Sequence, residues 1–567
     1  MKQINYFRQF QKSEIINILI IVAIWIIIVV FVNPLGNFPL NDDWVYGLAV
    51  KSILEKGDFR FPSPAHTNLF FQAFWGALFC LPFGFSFTAL RFSTLVLGLI
   101  GVIATYAVLR QVNAGQKISL LGALLLVVNP LYFGLANSFM TDVPFVALSI
   151  LSFYFLIRGL KQKSIIKVIL GLCLVYINIL IRQYAIVILL AFAIAYSVKQ
   201  RFKLQSIFIS SLIFASGILL HKLYQKWLYS TGRTPLIAEN IMNVQKLDFR
   251  NHILMISLIY IGCFIFPVIA IFFVKNLQEI SHRQKTITIF GVSSFFVVVF
   301  GRLIQQGKTI PLIENVLLYF GLGPLTLRDT YLLKINYPSY SLGLKIFWLM
   351  MTAIGVFGAL LLLYYLCLAL IQIFSESEKW LKVLIISAIL IYLFLFGIKY
   401  PFDRYFLFLL PLFMILTVIS NGYIADQDIG KKITAFALIF IFILGGFTVT
   451  ATHDYLAWNR TRWQALNDLI EQGITPDYID GGYEFNGWYL NNIKYKPQPN
   501  KSYWWVNRDN YMISSGVVKG YEEVKRYPFK RWLLLKNDNI FVLHKVPEER
   551  YTKSGLKKLT TKTKSEY

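Results

Sequence analysis

Two adjacent carboxylates, Asp42 and Asp43, follow closely behind the first long apolar stretch of the chain, residues 15–32. An uncharged apolar run of about 18 residues can cross a bilayer, so these carboxylates stand where the first span leaves the hydrocarbon. Ionised groups at that border are costly to desolvate, and they often mark a site of chemistry. The alternative is that they begin a solvated helix, because aspartate suits the N-terminal end of a helix.

Other polar residues meet the same face of the predicted membrane. Arg91 stands at the start of the second span, Asp142 lies in a Thr-Asp-Val-Pro sequence, and Lys399, Arg404 and Tyr405 precede a late span. An enzyme that takes a sugar from a polyprenyl phosphate needs this set of groups. A carboxylate accepts the proton of the acceptor nucleophile, and cations stabilise the phosphate, which leaves as an anion and needs no general acid.

The composition indicates a polytopic membrane protein. The chain has 567 residues, 56% of them hydrophobic, and a mean hydropathy of +0.58, which is too apolar for a soluble protein. A net charge of +26 suggests nucleic acid as a partner, but the lysines and arginines are scattered through short loops, so membrane topology explains them better. The four cysteines show neither paired nor metal-like spacing.

Thirteen apolar runs predict membrane spans, and the fold class is therefore mainly α. The runs are residues 15–32, 91–109, 118–136, 143–157, 165–181, 184–198, 205–221, 253–274, 286–301, 343–373, 381–397, 405–420 and 433–451. Short basic connectors mark the cytoplasmic side, which places the N-terminus inside. Residues 69–82 predict a helix lying along the outer interface, and residues 312–325 a second one interrupted by glycine and proline.

The composition changes near residue 452. Residues 1–451 predict the transmembrane domain, and residues 452–567 a small extracytoplasmic α+β domain. Within it, residues 462–469 look helical, and residues 531–546 predict a hairpin centred on Asn537-Asp538-Asn539. Residues 480–489, rich in glycine, aromatics and amides, suit either a sugar contact or turns in a small domain.

Four motifs occur in a characteristic order and spacing. They are Asp42-Asp43-Trp44, the aromatic segment 68–75, the span start Ala89-Leu90-Arg91-Phe92-Ser93, and Thr141-Asp142-Val143-Pro144. Their order and spacing resemble the GT-C fold glycosyltransferases, in particular protein O-mannosyltransferases and the aminoarabinose transferases of lipid A.

This resemblance implies roles for individual residues. Asp42 corresponds to the catalytic base, and Asp43 to an acidic neighbour that is usually glutamate in the family. Arg91 inherits a site-organising role in which it holds an acidic side chain. Asp142 is implied in substrate binding, with a helix N-terminus before Pro144 as its structural alternative.

The resemblance also implies a phosphate contact for Arg404 and Tyr405, with an interfacial anchor as the alternative for Arg404. Lys399 joins them as a further cation. The family often has a basic element before its aromatic interfacial helix, whereas this chain has Pro64-Ala65-His66-Thr67-Asn68. His66 is therefore either a donor to phosphate or sugar, or a surface histidine.

These observations favour an inverting glycosyltransferase on the outer face of a bacterial cytoplasmic membrane, with a polyprenyl-phosphate sugar as donor and membrane lipids around it. The acceptor stays open among protein, lipid and glycan. No cofactor is firmly implied and no metal site is predicted, although two adjacent carboxylates leave a divalent ion open. The alternatives are a transporter or flippase of a lipid-linked saccharide, which predicts ionisable residues near mid-span and related halves, and a non-catalytic scaffold.

Overall fold

A computed structural model describes residues 2–61, 67–234, 252–279, 281–373, 378–398, 400–422, 424 and 426–547. These ranges form eighteen α-helices and six short or medium β-strands. The predicted fold class, mainly α with a small α+β region near the C-terminus, is confirmed.

The helices follow one another with short connections through most of the chain. They are α1 (Lys2–Val32), α2 (Asp43–Lys56), α3 (Phe70–Cys80), α4 (Phe87–Gln111), α5 (Gln116–Val127), α6 (Pro130–Ala136), α7 (Asp142–Gln162), α8 (Ile165–Ile179), α9 (Ile186–Lys199), α10 (Leu204–Ser230), α11 (His252–Phe264), α12 (Phe266–Glu279), α13 (His282–Gln305), α14 (Leu342–Gln372), α15 (Lys379–Ile398), α16 (Leu409–Asn421), α17 (Lys431–Glu471) and α18 (Tyr483–Leu490).

The chain is a multi-pass membrane protein. Within the described ranges, nine helical segments are long and apolar enough to cross a membrane, and eleven if two bent pairs each count as one span. Every one of the thirteen predicted runs coincides with a helical segment. Two of these segments, α8 and residues 183–199, are shorter than a full membrane span. That they cross the membrane remains a prediction.

Proline explains the position of both bends. The pair α5 and α6 bends by 60°, and the pair α11 and α12 by 85°. Pro130 begins α6 and Pro267 is the second residue of α12, and a proline suits the first turn of a helix but blocks its continuation from the preceding residues. The side chain of Asn129 caps the new helix by accepting hydrogen bonds of 3.0 Å from the N–H groups of Leu131 and Tyr132.

Helix α11 crosses α14 at very close range. A Cβ atom added to Gly358 would lie 2.4 Å from the carbonyl oxygen of Gly262, and one added to Gly262 would lie 2.5 Å from the backbone of α14. Only glycine permits two helix backbones to approach in this way, and such contacts are typical of helices that associate within membranes.

The chain divides into two compact units. The first comprises residues 1–324, 339–457 and 531–536, and the second comprises residues 325–338, 458–530 and those from 537 onward. The domain boundary predicted at residue 452 remains a prediction. In the second unit, four strands are β3 (Ile479–Asp480), β4 (Tyr511–Ser514), β5 (Tyr521–Arg531) and β6 (Lys536–Lys545). Their order is β3-β4-β6-β5, with β3 parallel to β4 and β4 antiparallel to β6.

Two local predictions need correction. Residues 312–325 form no helix but a tight antiparallel pair, β1 (Leu317–Leu318) and β2 (Gly321–Leu322), because glycine and proline break any helical run there. The turn between β5 and β6 lies at residues 532–535, where Leu535 adopts a positive φ of 48°, so Asn537-Asp538-Asn539 belongs to a strand. The predicted helicity of residues 462–469 is confirmed, since they form part of the 41-residue α17.

The contact between Gly262 and Gly358 predicts a sharp sensitivity to a single methyl group. Gly358→Ala should destabilise the protein by about 1–3 kcal/mol, because backbone atoms cannot move aside as a flexible side chain can. Gly446→Ala is the matched control, since a Cβ atom on that exposed glycine of α17 meets nothing within 4 Å. Thermal melting in detergent measures both variants, and equal melting temperatures would contradict the close crossing.

Candidate active site

Two arginine side chains from distant parts of the first unit meet at the carboxylate of Asp142. Arg182 Nη1 lies 2.8 Å from Asp142 Oδ1, and Arg404 Nε lies 3.8 Å from the same oxygen. Arg404 also reaches outward, with Nη2 3.8 Å from Asp42 Oδ2. The arginine thus joins the carboxylate that follows the first span to the carboxylate that begins α7.

The acidic residues of this cluster differ strongly in exposure. The side chain of Asp42 is 29% exposed, whereas Asp43 is 2% and Asp142 is 1% exposed. A group that exchanges a proton with a substrate must be reachable by it. Among these three carboxylates, Asp42 is therefore the one open to a substrate.

Helix α2 begins directly behind this exposed carboxylate. Asp42 is the N-terminal cap residue by position, and its main-chain carbonyl accepts from the N–H groups of Val45 and Tyr46, but its side chain makes no capping hydrogen bond. Asp43 is the first helical residue, and its Oδ2 accepts a hydrogen bond of 3.3 Å from the N–H of Leu40. The local fold therefore uses the carboxylate of Asp43 and directs that of Asp42 toward Arg404.

Burial raises the pKa of Asp43 to about 7, although main-chain hydrogen bonds and the charge of Arg91 act in the opposite direction. Asp43 therefore retains its proton to a higher pH than an exposed aspartate does.

Arg91 organises the segment that leads to these carboxylates. Its guanidinium donates to the carbonyl oxygens of Pro34, Gly36 (3.3 Å) and Phe38 (3.1 Å), and it lies 4.9 Å from the centre of the Phe38 ring. These hydrogen bonds hold the backbone of the segment that leads to Asp42, and the charge of Arg91 also acts on Asp43. The site-organising role of Arg91 stays a prediction.

Arg182 is a site residue that the sequence analysis missed. It lies in the turn after α8, where its Nε donates a 2.7 Å hydrogen bond to Thr141 Oγ1. The turn itself is fastened at Ile181, whose carbonyl accepts from Thr67 Oγ1 (2.7 Å) and from the N–H of Leu69 (3.0 Å). One sequence signal was available. Arg182 lies in a turn that the basic connectors predict to be on the outer side, where basic residues are less common than on the cytoplasmic side.

Arg404 is placed by its neighbour in the chain. The buried carboxylate of Asp403 accepts hydrogen bonds from the N–H groups of Val316 (3.0 Å), Leu317 (2.8 Å) and Arg404 itself (2.7 Å). This fixes the backbone at Arg404, which is 7% exposed. Within the described residues, Arg404 Nη1 has no hydrogen-bond partner, so this guanidinium retains donors for an anion.

Aromatic rings surround the two arginines. The Tyr405 ring centre lies 5.3 Å from the guanidinium carbon of Arg182 and 5.8 Å from that of Arg404. Tyr405 also borders a small cavity, with room for about one water molecule, which we call the aromatic cavity. It is lined by Tyr184, Tyr392, Leu395, Phe396 and Tyr405.

Two predicted site residues, His66 and Lys399, lie outside the described residues. The described ranges contain no group of three or more His, Cys, Asp or Glu side chains placed to hold a metal ion. In the second unit, the polar residues of segment 480–489 are used internally: Glu484 pairs with Arg462 at 2.7 Å, and Asp480 accepts from Asn486 at 2.9 Å. All four are buried, which favours the structural interpretation of that segment.

Residues 68–222 match the family model of dolichyl-phosphate-mannose-protein mannosyltransferases. The matched stretch contains Arg91, Asp142 and Arg182. The resemblance predicted from the motifs is confirmed over this part of the chain, and the matching model describes the predicted class of enzyme, a glycosyltransferase. No curated protein matches the sequence.

Two solved structures illustrate the range of similar folds. The oligosaccharyltransferase of Archaeoglobus fulgidus, tethered to an acceptor peptide, is 12% identical with a TM-score of 0.41, and the match covers 85% of this chain but 60% of that one. ArnT from Cupriavidus metallidurans, bound to undecaprenyl phosphate, is 12% identical with a TM-score of 0.41, and the match covers 93% of this chain and 97% of that one. Similarity at this level supports no argument about function.

The cluster around Asp142 predicts strong coupling between its members. Asp142→Asn should cost about 3–5 kcal/mol, because it leaves two buried guanidinium groups without their shared counter-charge. Arg182→Gln should also destabilise, but the double variant should cost clearly less than the sum of the two. Melting temperatures of the four proteins test this, and additive effects would mean that the pair does not interact.

The pKa of Asp43 predicts how stability depends on pH. Its ordinary value is 3.8 and its value in the folded protein is about 7, so between these values the folded protein retains a proton that the unfolded chain has lost. Stability should therefore fall as pH rises through this window and level off above it. Asp43→Asn cannot titrate, so the melting temperature of the wild type should decline relative to this variant between about pH 4 and 7. A difference in melting temperature between the two proteins that does not change with pH would contradict a raised pKa of Asp43.

Proposed function

We propose that the protein transfers a sugar from a polyprenyl-phosphate donor to an acceptor nucleophile, with inversion at the anomeric carbon. The observation that carries this proposal is the arrangement of Asp42 and Arg404: a partly exposed carboxylate 3.8 Å from a buried guanidinium that has an unused donor. A proton acceptor and an anion binder thus stand side by side, as the reaction requires.

Asp42 acts as the general base in this mechanism. As the acceptor oxygen attacks the anomeric carbon, its proton passes to a carboxylate oxygen of Asp42, and the bond between the anomeric carbon and the phosphate oxygen breaks. The electron pair of that bond leaves with the polyprenyl phosphate. A single displacement inverts the anomeric centre, and the burial of Asp43 and Asp142 leaves neither in a position to form a covalent intermediate.

Arg404 receives the departing phosphate. A guanidinium presents a planar set of hydrogen-bond donors that suits phosphate oxygens. These charge-assisted hydrogen bonds are stronger where water is largely excluded. Asp142 holds Arg404 and Arg182 together against their mutual repulsion. Arg182 therefore adds positive charge near the leaving phosphate while it stays paired with Asp142.

The aromatic residues that line the small aromatic cavity offer an apolar surface against which the lipid portion of the donor can pack. The walls of the cavity come from residues at the start of α9, in α15 and before α16, and its ring of tyrosine and phenylalanine side chains is apolar enough for isoprene units. Tyr405 belongs both to this cavity and to the surroundings of the two arginines. A polyprenyl phosphate would thus place its chain against aromatic rings and its head group against guanidinium groups.

The same proposal includes an orientation. The short basic connectors support a cytoplasmic N-terminus and a site on the outer face of a bacterial cytoplasmic membrane. The sugar and the acceptor, whether protein, lipid or glycan, are not specified by the cluster around Asp142.

Asp42→Asn should lower sugar transfer at least 100-fold, because the amide cannot accept the proton. The assay follows release of polyprenyl phosphate from a panel of polyprenyl-phosphate sugars in membranes that contain the full chain. Asp58→Asn is the matched control: its carboxylate is 25% exposed, close to the 29% of Asp42, and it pairs with arginines outside the cluster.

Retention of transfer by Asp42→Asn with unchanged melting would contradict Asp42 as the base. Movement of lipid-linked saccharide across the membrane without any sugar transfer would contradict the proposal and favour a flippase.

A further inference from the structure

Residues 67–71, just before and within the start of α3, form what we call the anchor segment. The carbonyl oxygens of Ile179, Leu180 and Ile181 all accept hydrogen bonds from it, at distances between 2.6 and 3.3 Å. The last carbonyls of a helix have no partner within the helix, so an outside donor fixes where the chain leaves it. The anchor segment therefore sets the path of the chain directly before Arg182.

Asn68 is the centre of the anchor segment. The residue is 1% exposed, and its Nδ2 donates to the carbonyl of Ile179 at 2.6 Å. Its Oδ1 accepts from Gln225 Nε2 at 3.0 Å, and its main-chain carbonyl accepts from the hydroxyl of Tyr224 at 2.5 Å. His221 Nδ1 lies 3.2 Å from the same Nδ2. An amide side chain can donate and accept at one place, so Asn68 joins the C-terminal part of α10 to the end of α8.

Leu69 holds the anchor segment in a backbone conformation that bulky side chains rarely adopt. Its φ is 56°, and the residue is fully buried. Such a conformation costs free energy in a bulky residue, and it persists only where the surrounding contacts determine it. The N–H of Leu69 donates to the carbonyl of Ile181 at 3.0 Å. The strained position is therefore the one that meets the turn before Arg182.

The same turn has a second support in α7. The amide of Asn178 donates to the carbonyl of Phe145 at 3.0 Å and to Ser149 Oγ at 2.8 Å. The main-chain carbonyl of Asn178 accepts from the N–H of Arg182 at 2.8 Å. The turn is thus connected to α7 through Asn178 and to α10 through Asn68.

We propose that Asn68 is a positioning residue for the phosphate of the donor: it holds the turn after α8 and thereby sets the place of the Arg182 guanidinium. The inference rests on the proposed function, because it takes Arg182 and Arg404 as the cations near the leaving phosphate. Asn68 itself does not touch the donor, because it is buried and its amide bonds to the protein. Hydrogen bonds to phosphate depend on distance and angle. A small displacement of the turn therefore weakens phosphate binding and leaves the contacts of the lipid chain unchanged.

Binding to the full chain in detergent tests the proposal with two probes, undecaprenyl phosphate and undecaprenol, which differ only in the phosphate group. Asn68→Leu keeps a branched side chain but loses every hydrogen bond of the amide. We expect about ten-fold weaker binding of undecaprenyl phosphate, the loss of one hydrogen bond to a charged group, and unchanged binding of undecaprenol. Asn276→Leu is the matched control, because the amide of Asn276 bonds to Asn421 at 2.6 Å and not to the cluster around Asp142.

A merely structural role of Asn68 would give a different pattern, because a loss of stability weakens the binding of both probes. In the double variant of Asn68→Leu with Arg182→Gln, undecaprenyl phosphate should bind no more weakly than in Arg182→Gln alone, since both changes act on the same contact. Equal losses for the two probes, unchanged binding of undecaprenyl phosphate in Asn68→Leu, or additive losses in the double variant would each overturn the proposal.

Tyr224→Phe tests the same support even if Asn68→Leu does not fold. It removes one hydrogen bond to the carbonyl of Asn68 and no atom of the anchor segment. Undecaprenyl phosphate should bind about three-fold more weakly, with undecaprenol unchanged, and an unchanged affinity for both probes would count against the proposal. Tyr176→Phe is the matched control, because the Tyr176 hydroxyl also joins α8 to α10, at Ser216, but bonds to no residue of the anchor segment.

Failure of the proposed function gives a different result. Binding of undecaprenyl phosphate that is unaffected by Arg182→Gln would contradict the proposed place of the phosphate, and the role of Asn68 would fall with it. Weakened binding in Arg182→Gln beside unchanged binding in Asn68→Leu would overturn the role of Asn68 alone. Neither measurement requires sugar transfer, so neither depends on the result for Asp42→Asn.

Discussion

The carboxylate of Asp142 is the constraint on which the site depends. Two guanidinium groups, those of Arg182 and Arg404, are buried in the first unit, where an unpaired charge is costly. Asp142 offsets both, with one arginine at 2.8 Å and the other at 3.8 Å. Because α7 begins at Asp142, the position of this charge is set by the start of a helix that packs tightly against α4 and α8.

From this centre, each neighbouring element is placed by a small number of polar contacts. Thr141 Oγ1 accepts a hydrogen bond from Arg182 Nε, and Thr67 and Leu69, just before α3, donate to the turn that carries this arginine. Asp403 secures the backbone at Arg404, and Arg91 secures the segment that leads to Asp42. Residues separated by more than 350 positions in the sequence are thereby combined in one polar cluster within an otherwise apolar protein.

Much of this organisation could be predicted from the sequence, because spans depend on composition and length. All thirteen predicted runs are helical, and Asp42, Asp142 and Arg404 do come together. Bends within spans depend on single prolines such as Pro130 and Pro267, which a count of apolar residues does not weigh. Arg182 was missed because a lone arginine between apolar runs resembles a loop residue until its partner is known. The short strands at 317–322 depend on main-chain hydrogen bonds to Asp403, a contact across 86 positions that no local pattern reveals.

Asp403 also joins two separate segments of the first unit. Its two carboxylate oxygens accept hydrogen bonds from the N–H of Val316, next to β1, and from the N–H of Arg404. Because one buried side chain holds both segments, we expect a change that displaces β1 to displace the arginine as well.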